Sequence, residues 1–371
     1  MELNQRRLAV AGGVLVALIA IVGIALAVTG GGDDAAPPAT TDAPTTVPTT
    51  DAPTTTVADG PYAPLTGEPV PEGSPLLTQP AIVVKISNNY TVAADAMIGI
   101  DRADIVVEER IEANFTRFAA IFHSDLPEEV GPIRSGRTTD LDLLANLGEP
   151  ILVYSGANPS VSGQLRGLEG EGRVKLVVDR ATNVDLVRNT AYGRPDNLFS
   201  NLPEILDKYG SEAGVAVPLF DYRHESFERS GGLPGDGVTI TGSNIVSFVW
   251  DPAQGYVRVQ DGEIHDNRGG EPIAVDNVVL LETEYRRSAV EAESVDAQTV
   301  GTGRFTLLVG GARLEGTWTR ATRDDRYTFT DPAGNLILLD PGSTWVSLVP
   351  ADSYDFAVDA ETSALVLEAE G

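Results

Sequence analysis

Residues 101–142 read DRADIVVEERIEANFTRFAAIFHSDLPEEVGPIRSGRTTDLD, and the reading of the fold starts from the rhythm of this stretch. Residues 105–107 (IVV) and 118–122 (FAAIF) are compact β-branched and aromatic runs, which suit strands. Residues 138–147 (TTDLDLLANL) predict a short helix opening on Thr and Asp. Upstream, residues 81–86 (AIVVKI) predict a strand closed by Ser87, Asn88 and Asn89, residue types that favour a turn. Downstream, 151–154 (ILVY) predicts another strand. Helices are predicted at 183–188 and 202–209, the second with Pro203 in its first turn and Gly210 past its end. Strands alternating with helical pieces point to an α/β or α+β N-terminal domain over residues 64–230.

The composition shifts across residues 230–242 (SGGLPGDGVTITG), which predicts a domain boundary. Beyond it, strands are expected at 245–250, 256–260, 278–285, 304–309, 313–319, 327–330, 336–339 and 344–348, joined by Gly-rich and Asp-Pro turns. Residues 240–350 therefore read as a small, mostly antiparallel β barrel or sandwich, followed by an acidic tail at 351–371. Trp250, Trp318 and Trp345 fall in these strands, as core residues or as aromatic platforms for a ligand.

On the N-terminal side, residues 8–28 (LAVAGGVLVALIAIVGIALAV) carry no charge and are long enough, as a helix, to cross a bilayer. Arg6 and Arg7 precede the run and Asp33 and Asp34 follow it, so the short tip is expected in the cytoplasm and the rest outside. This predicts a single transmembrane helix within residues 1–29 and a single-pass plasma-membrane location, with the globular region extracytoplasmic. A cleaved signal peptide ending near Ala25-Leu26-Ala27 is the alternative. Residues 30–63 are rich in Thr, Pro and Asp and predict a disordered spacer.

The chain has 54 acidic against 26 basic residues, a formal charge of -28, which repels nucleic acid. It has no cysteine, so disulfides, thiolate chemistry and Cys-ligated metals are excluded. No cofactor is predicted. GxGxxG and GxxxxGK[ST] are missing, and neither Ser135 nor Ser155 lies in a GxSxG or SxxK frame.

Chemistry concentrates in the opening stretch. Glu108, Glu109, Arg110, Glu112 and Arg117 interleave with apolar positions, and Arg134, Ser135 and Arg137 follow the Gly131-Pro132 turn. Arginines beside hydroxyls suit a carboxylate or phosphate ligand, because the guanidinium fork matches its geometry. In so acidic a chain, the same arginines could instead pair with neighbouring carboxylates. Glu108 and Asp140 are the candidate acid/base carboxylates. Glu108 and Glu112 alone, four apart on a strand, would stand roughly 13 Å apart, too far for a direct pair. His123, His224 and His265 form no recognisable metal motif, and none is predicted as a ligand. Residues 261–267 (DGEIHDN) have oxygens enough to attract calcium, but also the composition of a hairpin turn.

Two separated motifs carry a family resemblance: ADIVVEERIEANFTRFAAIF at 103–122 and GPIRSGRTTDLD at 131–142, with VVKISNN at 83–89 upstream. Together with RFTLLVGGARLEGTWTR and DPAGNLILLDPGSTWVSLVP near the C-terminus, they make residues 64–350 resemble the YerB-like family of bacterial cell-envelope proteins. The resemblance implies two adjoining domains and no established reaction. It also implies attachment through a lipidated cysteine, for which the 8–28 run would substitute here. Relatives show a His-Asn pair before an aromatic. Here Arg194, Asn197 and Phe199 match, while Asp196 stands at the histidine position. By resemblance, the cleft maps onto Asn88, Glu108, Arg117, Arg134, Ser135, Arg137 and Asn197, with Arg194 beside it. Two functions stay open. One is binding or scaffolding of a wall polymer or envelope protein through an arginine/carboxylate cleft. The other is hydrolysis or transfer on a wall glycopolymer or peptide.

Overall fold

Every residue of β1 (Ile82–Ser87) is buried, which suits a β-branched run in the middle of a sheet. The computed structural model describes residues 60–88, 94–179, 185–224, 231–290 and 294–368. β2 (Ile105–Arg110) and β3 (Thr116–Phe122) form an antiparallel hairpin, and β3 pairs antiparallel with β1. On the other side of β1 lie β4 (Ile151–Tyr154) and β5 (Lys175–Val178), both parallel to it. Three helices complete this mixed α/β domain: α1 (Asp140–Leu143), α2 (Pro159–Gly170) and α3 (Leu202–Tyr209), together with the ribbon β6 (Leu186–Arg188) and β7 (Leu198–Ser200).

The C-terminal part is mostly antiparallel and β-rich. It comprises β8 (Leu233–Pro234), β9 (Gly237–Thr241), β10 (Ile245–Asp251), β11 (Gly255–Gln260), β12 (Glu263–Ile264), β13 (Ala274–Val275) and β14 (Asn277–Glu282). These are followed by β15 (Tyr285–Arg287), β16 (Val295–Ala297), β17 (Gly301–Val309), β18 (Ala312–Arg320), β19 (Thr328–Thr330), β20 (Thr344–Val349), β21 (Tyr354–Asp355) and the helix α4 (Ala360–Leu367).

β20 does not stay within its own half. It lies between β14 and β2, parallel to both, with Trp345 opposite Val278 on one side and Val106 on the other. The result is one 11-stranded sheet in the order β19-β18-β17-β14-β20-β2-β3-β1-β4-β5, with β8 added to β18. A six-stranded sheet, β12-β11-β10-β9-β21 with β13 on β11, packs on one face as a sandwich. There Val238, Phe248 and Tyr256 share a core with Val106, Phe118, Leu280 and Trp345. The opposite face is covered by helices, where Leu141, Leu144, Val161 and Leu165 meet Val83, Val107, Ile121 and Val346.

A buried ion pair ties the sandwich together. Arg258 of β11 is fully buried, and its Nη2 lies 3.1 Å from Glu108 Oε2. The guanidinium sits over the rings of Trp345 (4.9 Å) and Phe118 (5.4 Å), and it also contacts Gln260 and His265. Burial, then the neighbouring guanidinium, holds the His265 imidazole well below its ordinary range, so it stays neutral. At the other end of β2, buried Asp104 accepts the His123 N–H at 2.5 Å and the Ser124 N–H at 3.1 Å. Burial pushes its carboxyl up to about 6, and these donors offset only part of the shift.

Several expectations change. The 138–147 helix shortens to α1, and the 183–188 helix is replaced at its described end by strand β6. α2 was not anticipated, because glycines dilute it. Gly163 and Gly167 face open space, while Val161 and Leu165 are buried one turn apart. The acidic tail contributes β21 and α4, with Val366 buried against Val249 and Val259. Residues 61–63, expected in the spacer, belong to the fold, with Ala63 buried and the Tyr62 ring 3.9 Å from that of His224. Trp318 and Trp345 are core residues. Within residues 261–267, Asp261 and Gly262 turn the β11–β12 hairpin, and Asp261 accepts the N–H of Ile245 on neighbouring β10 at 2.8 Å. The transmembrane span at 8–28 lies outside the described residues, as does the spacer up to residue 59. Among the described residues, no helix is long and apolar enough to cross a membrane.

Removing Arg258 strands a buried carboxylate. Arg258→Ala is expected to lower the unfolding free energy by about 3–5 kcal/mol, and Glu108→Gln/Arg258→Met to recover most of it. Urea titration decides, and an Arg258→Ala chain within about 1 kcal/mol of the parent would contradict the ion-pair account. Asp104 gives a pH signature with a definite sign. Its raised carboxyl contributes stability below pH 4 that is lost as pH rises through about 6. Asp104→Asn should therefore remove a fall on the order of 3 kcal/mol between pH 4 and pH 7. Parallel pH profiles for the two chains would show the assignment to be mistaken.

Candidate functional site

β1 and β4 pair only through Val84 and Val153, and beyond that point they part. The loop after Gly131 enters the gap: Arg134 N–H donates to the Lys85 carbonyl at 2.8 Å, and Ser155 N–H donates to the Arg134 carbonyl at 2.9 Å. Gly131 is required where the loop enters, since a Cβ there would sit 2.7 Å from the Leu198 carbonyl oxygen. The loop thus lies at the carboxyl ends of the parallel strands, where open α/β sheets commonly form a binding crevice.

Beneath the loop, Lys85 is fully buried, with its Nζ 2.6 Å from both Glu109 Oε1 and Asp140 Oδ1. Two partners offset the cost of burying the ammonium. Burial raises the Glu109 carboxyl, against the pull of Lys85. Asp140 Oδ2 accepts the Arg137 N–H at 2.6 Å, which fixes the loop to α1.

Arg117 lies across from Glu109 in the β2–β3 register and from Ser87 in the β1–β3 register. It is 5% exposed, and its Nε and Nη1 have no hydrogen-bond partner among the described residues. Burial, then Arg134 and Arg137, pushes the guanidinium down to about 9, which still leaves it charged at neutral pH. The two outer arginines are engaged. Arg134 Nη1 is 2.6 Å from Asp196 Oδ1, and Arg137 Nη2 is 3.1 Å from Glu112 Oε2. Their side chains are about one-fifth exposed, so exposure rises outward from Arg117. Asp196 is buried, and its Oδ2 lacks a partner among the described residues.

The predicted site residues therefore divide. Arg117, Arg134, Arg137 and Asp140 come together, with Ser135 half-buried on the same loop. Asn197 stands at the margin, accepting from Arg188 Nη1 at 2.9 Å, and Arg194 is exposed nearby. Glu108 and Asn88 face the other side of the sheet. Glu108 is held there by Arg258, Thr116 (2.8 Å), Asn88 (3.3 Å) and the Trp345 indole (3.2 Å). A carboxylate so fully engaged is a structural anchor, and it does not converge with Asp140. Glu109 was named in the charged stretch but not placed in the site, and Lys85 was missed although its signal was a charge inside an otherwise apolar strand run.

Known proteins share this architecture. Residues 65–215 match the family model described as the N-terminal domain of a protein of unknown function (DUF3048), and residues 238–346 match its C-terminal domain. YerB of Bacillus subtilis (strain 168), named as a candidate lipoprotein, is 28% identical over 306 residues, covering 78% of this chain and 86% of YerB. The crystal structure of YerB from Bacillus subtilis superposes with a TM-score of 0.66 at 24% identity, covering 80% of this chain and 99% of that one. With both halves matched in order, the chain belongs to the DUF3048 family of proteins of unknown function.

Proposed function

We propose that this chain is a binding protein of the bacterial cell envelope, holding an anionic group of a wall polymer or partner protein at Arg117, Arg134 and Arg137. The observation that carries this reading is Arg117: a charged guanidinium, almost wholly buried, with two nitrogens lacking partners among the described residues. Folding disfavours such a group unless a ligand completes it. The hydrolase or transferase reading needs an unengaged carboxylate at Glu108 or Asp140. Both are occupied by buried cations, so that reading is not carried forward.

Residues 8–28 anchor the chain in the plasma membrane, with the globular region on the outer face. The apolar run with its preceding arginines supports this topology, as does the likeness to a candidate lipoprotein. The anchor thus does the work of a lipidated cysteine, which this chain lacks.

A ligand-binding cation and a structural one respond oppositely to replacement by an apolar isostere. Arg117→Met should weaken binding of inorganic phosphate about 10- to 100-fold by calorimetry, the equivalent of one or two charge-assisted hydrogen bonds. The same change should raise Tm by at least about 2 °C, because an unpaired buried charge is removed. A destabilised variant that retains phosphate binding would sink the proposal. For topology, deletion of residues 2–29 should move the chain out of the membrane fraction of expressing cells; continued membrane association would contradict the anchor.

A further inference from the structure

The arginine site also contains an unmatched acceptor. Asp196 is 1% exposed; its Oδ1 takes Arg134 at 2.6 Å, while its Oδ2 is buried without a partner among the described residues. Arg117 leaves Nε–H and Nη1–H unmatched, and these lie on different edges of the guanidinium plane, so a single carboxylate cannot take both. Arg134 links the two, ion-paired to Asp196 and close enough to Arg117 to depress it. The complementary ligand presents several separated oxygens to the arginines and a hydrogen-bond donor to Asp196.

A donor placed beside Asp196 also lies in the field of Arg134 and Arg117. An ammonium there would be drawn by Asp196 but opposed by two guanidinium groups, whereas a hydroxyl donates without carrying charge. A tetrahedral phosphate offers the separated acceptors that one planar carboxylate does not. Resting on the anion-binding reading above, we infer that the site is selective for a hydroxyl-bearing phosphate, the chemistry of a glycerol phosphate unit. The phosphate sits on Arg117 and the outer arginines, and the hydroxyl donates to Asp196 Oδ2. Such a unit could come from a soluble polymer or from a lipid headgroup. On the wall-polymer reading above the polymer is the source, and the vesicle arm below separates the two.

Calorimetry on the full chain compares glycerol phosphate, inorganic phosphate and ethanolamine phosphate, with phosphatidylglycerol vesicles as a separate arm. Glycerol phosphate should bind at least about tenfold more tightly than either other phosphate, a gap worth one hydrogen bond. The vesicles should bind no better than uncharged ones. In Asp196→Asn, the ratio of glycerol phosphate to inorganic phosphate affinity should collapse toward one, whichever way phosphate binding itself moves. Equal binding of the three phosphates, preference for ethanolamine phosphate, or a ratio unchanged in Asp196→Asn overturns the hydroxyl assignment alone. Binding to vesicles without binding to glycerol phosphate overturns the polymer source. Failure of every phosphate to bind the parent chain overturns the anion site itself. The ligand comparison in the parent chain needs no variant to fold.

Discussion

The parallel pairing of β20 with β2 is the constraint on which the rest of the molecule depends. A strand from the last part of the chain hydrogen-bonds to the second strand of the first domain, so the two family domains share one sheet. Such a contact has long sequence separation and is costly to close in a flexible chain. It is secured by side chains on both faces. Trp345 and Glu108 meet Arg258 on the sandwich face, and Val346 packs beside Val107 on the helix face.

Consecutive residues on β2 therefore serve opposite purposes, because strand side chains alternate between faces. Glu108 points into the sandwich and neutralises Arg258, whereas Glu109 points into the helix layer and neutralises Lys85. The first pair holds the layers together. The second lies beneath the arginine loop, with Arg117 directly opposite Glu109 on β3. Among the described residues, the buried cations Lys85, Arg258 and Arg320 have carboxylate or carbonyl partners, whereas Nε and Nη1 of Arg117 have none. That asymmetry makes Arg117 the centre of the functional reading.

Much of this was legible in the residues. The apolar runs at 81–86, 105–107 and 151–154 declared the N-terminal sheet, and Pro203 and Gly210 bracketed α3. The arginines of the 131–137 loop were recognisable from chemistry alone, and their pairing with Asp196 and Glu112 was one of the two outcomes foreseen. The shared sheet was not legible, because the apolar pattern of TWVSLV at 344–349 is the same whether its neighbour is β14 or β2. Glu108 was misplaced for a related reason. Strand alternation separates it from Glu109, but only the partner sheet reveals that Arg258 waits on its side. α2 was hidden because its glycines sit on the solvent face, where they carry no packing signal.

The central claim is that Arg117 is a buried guanidinium held unpaired for an anionic ligand. The most direct measurement is the 15N resonance of its Nε–H in the full chain, followed through a titration with glycerol phosphate. The account predicts a slowly exchanging proton that shifts in saturable fashion and stays fixed when the uncharged glycerol is added instead. A resonance unmoved at saturating glycerol phosphate, or moved equally by glycerol, would contradict it.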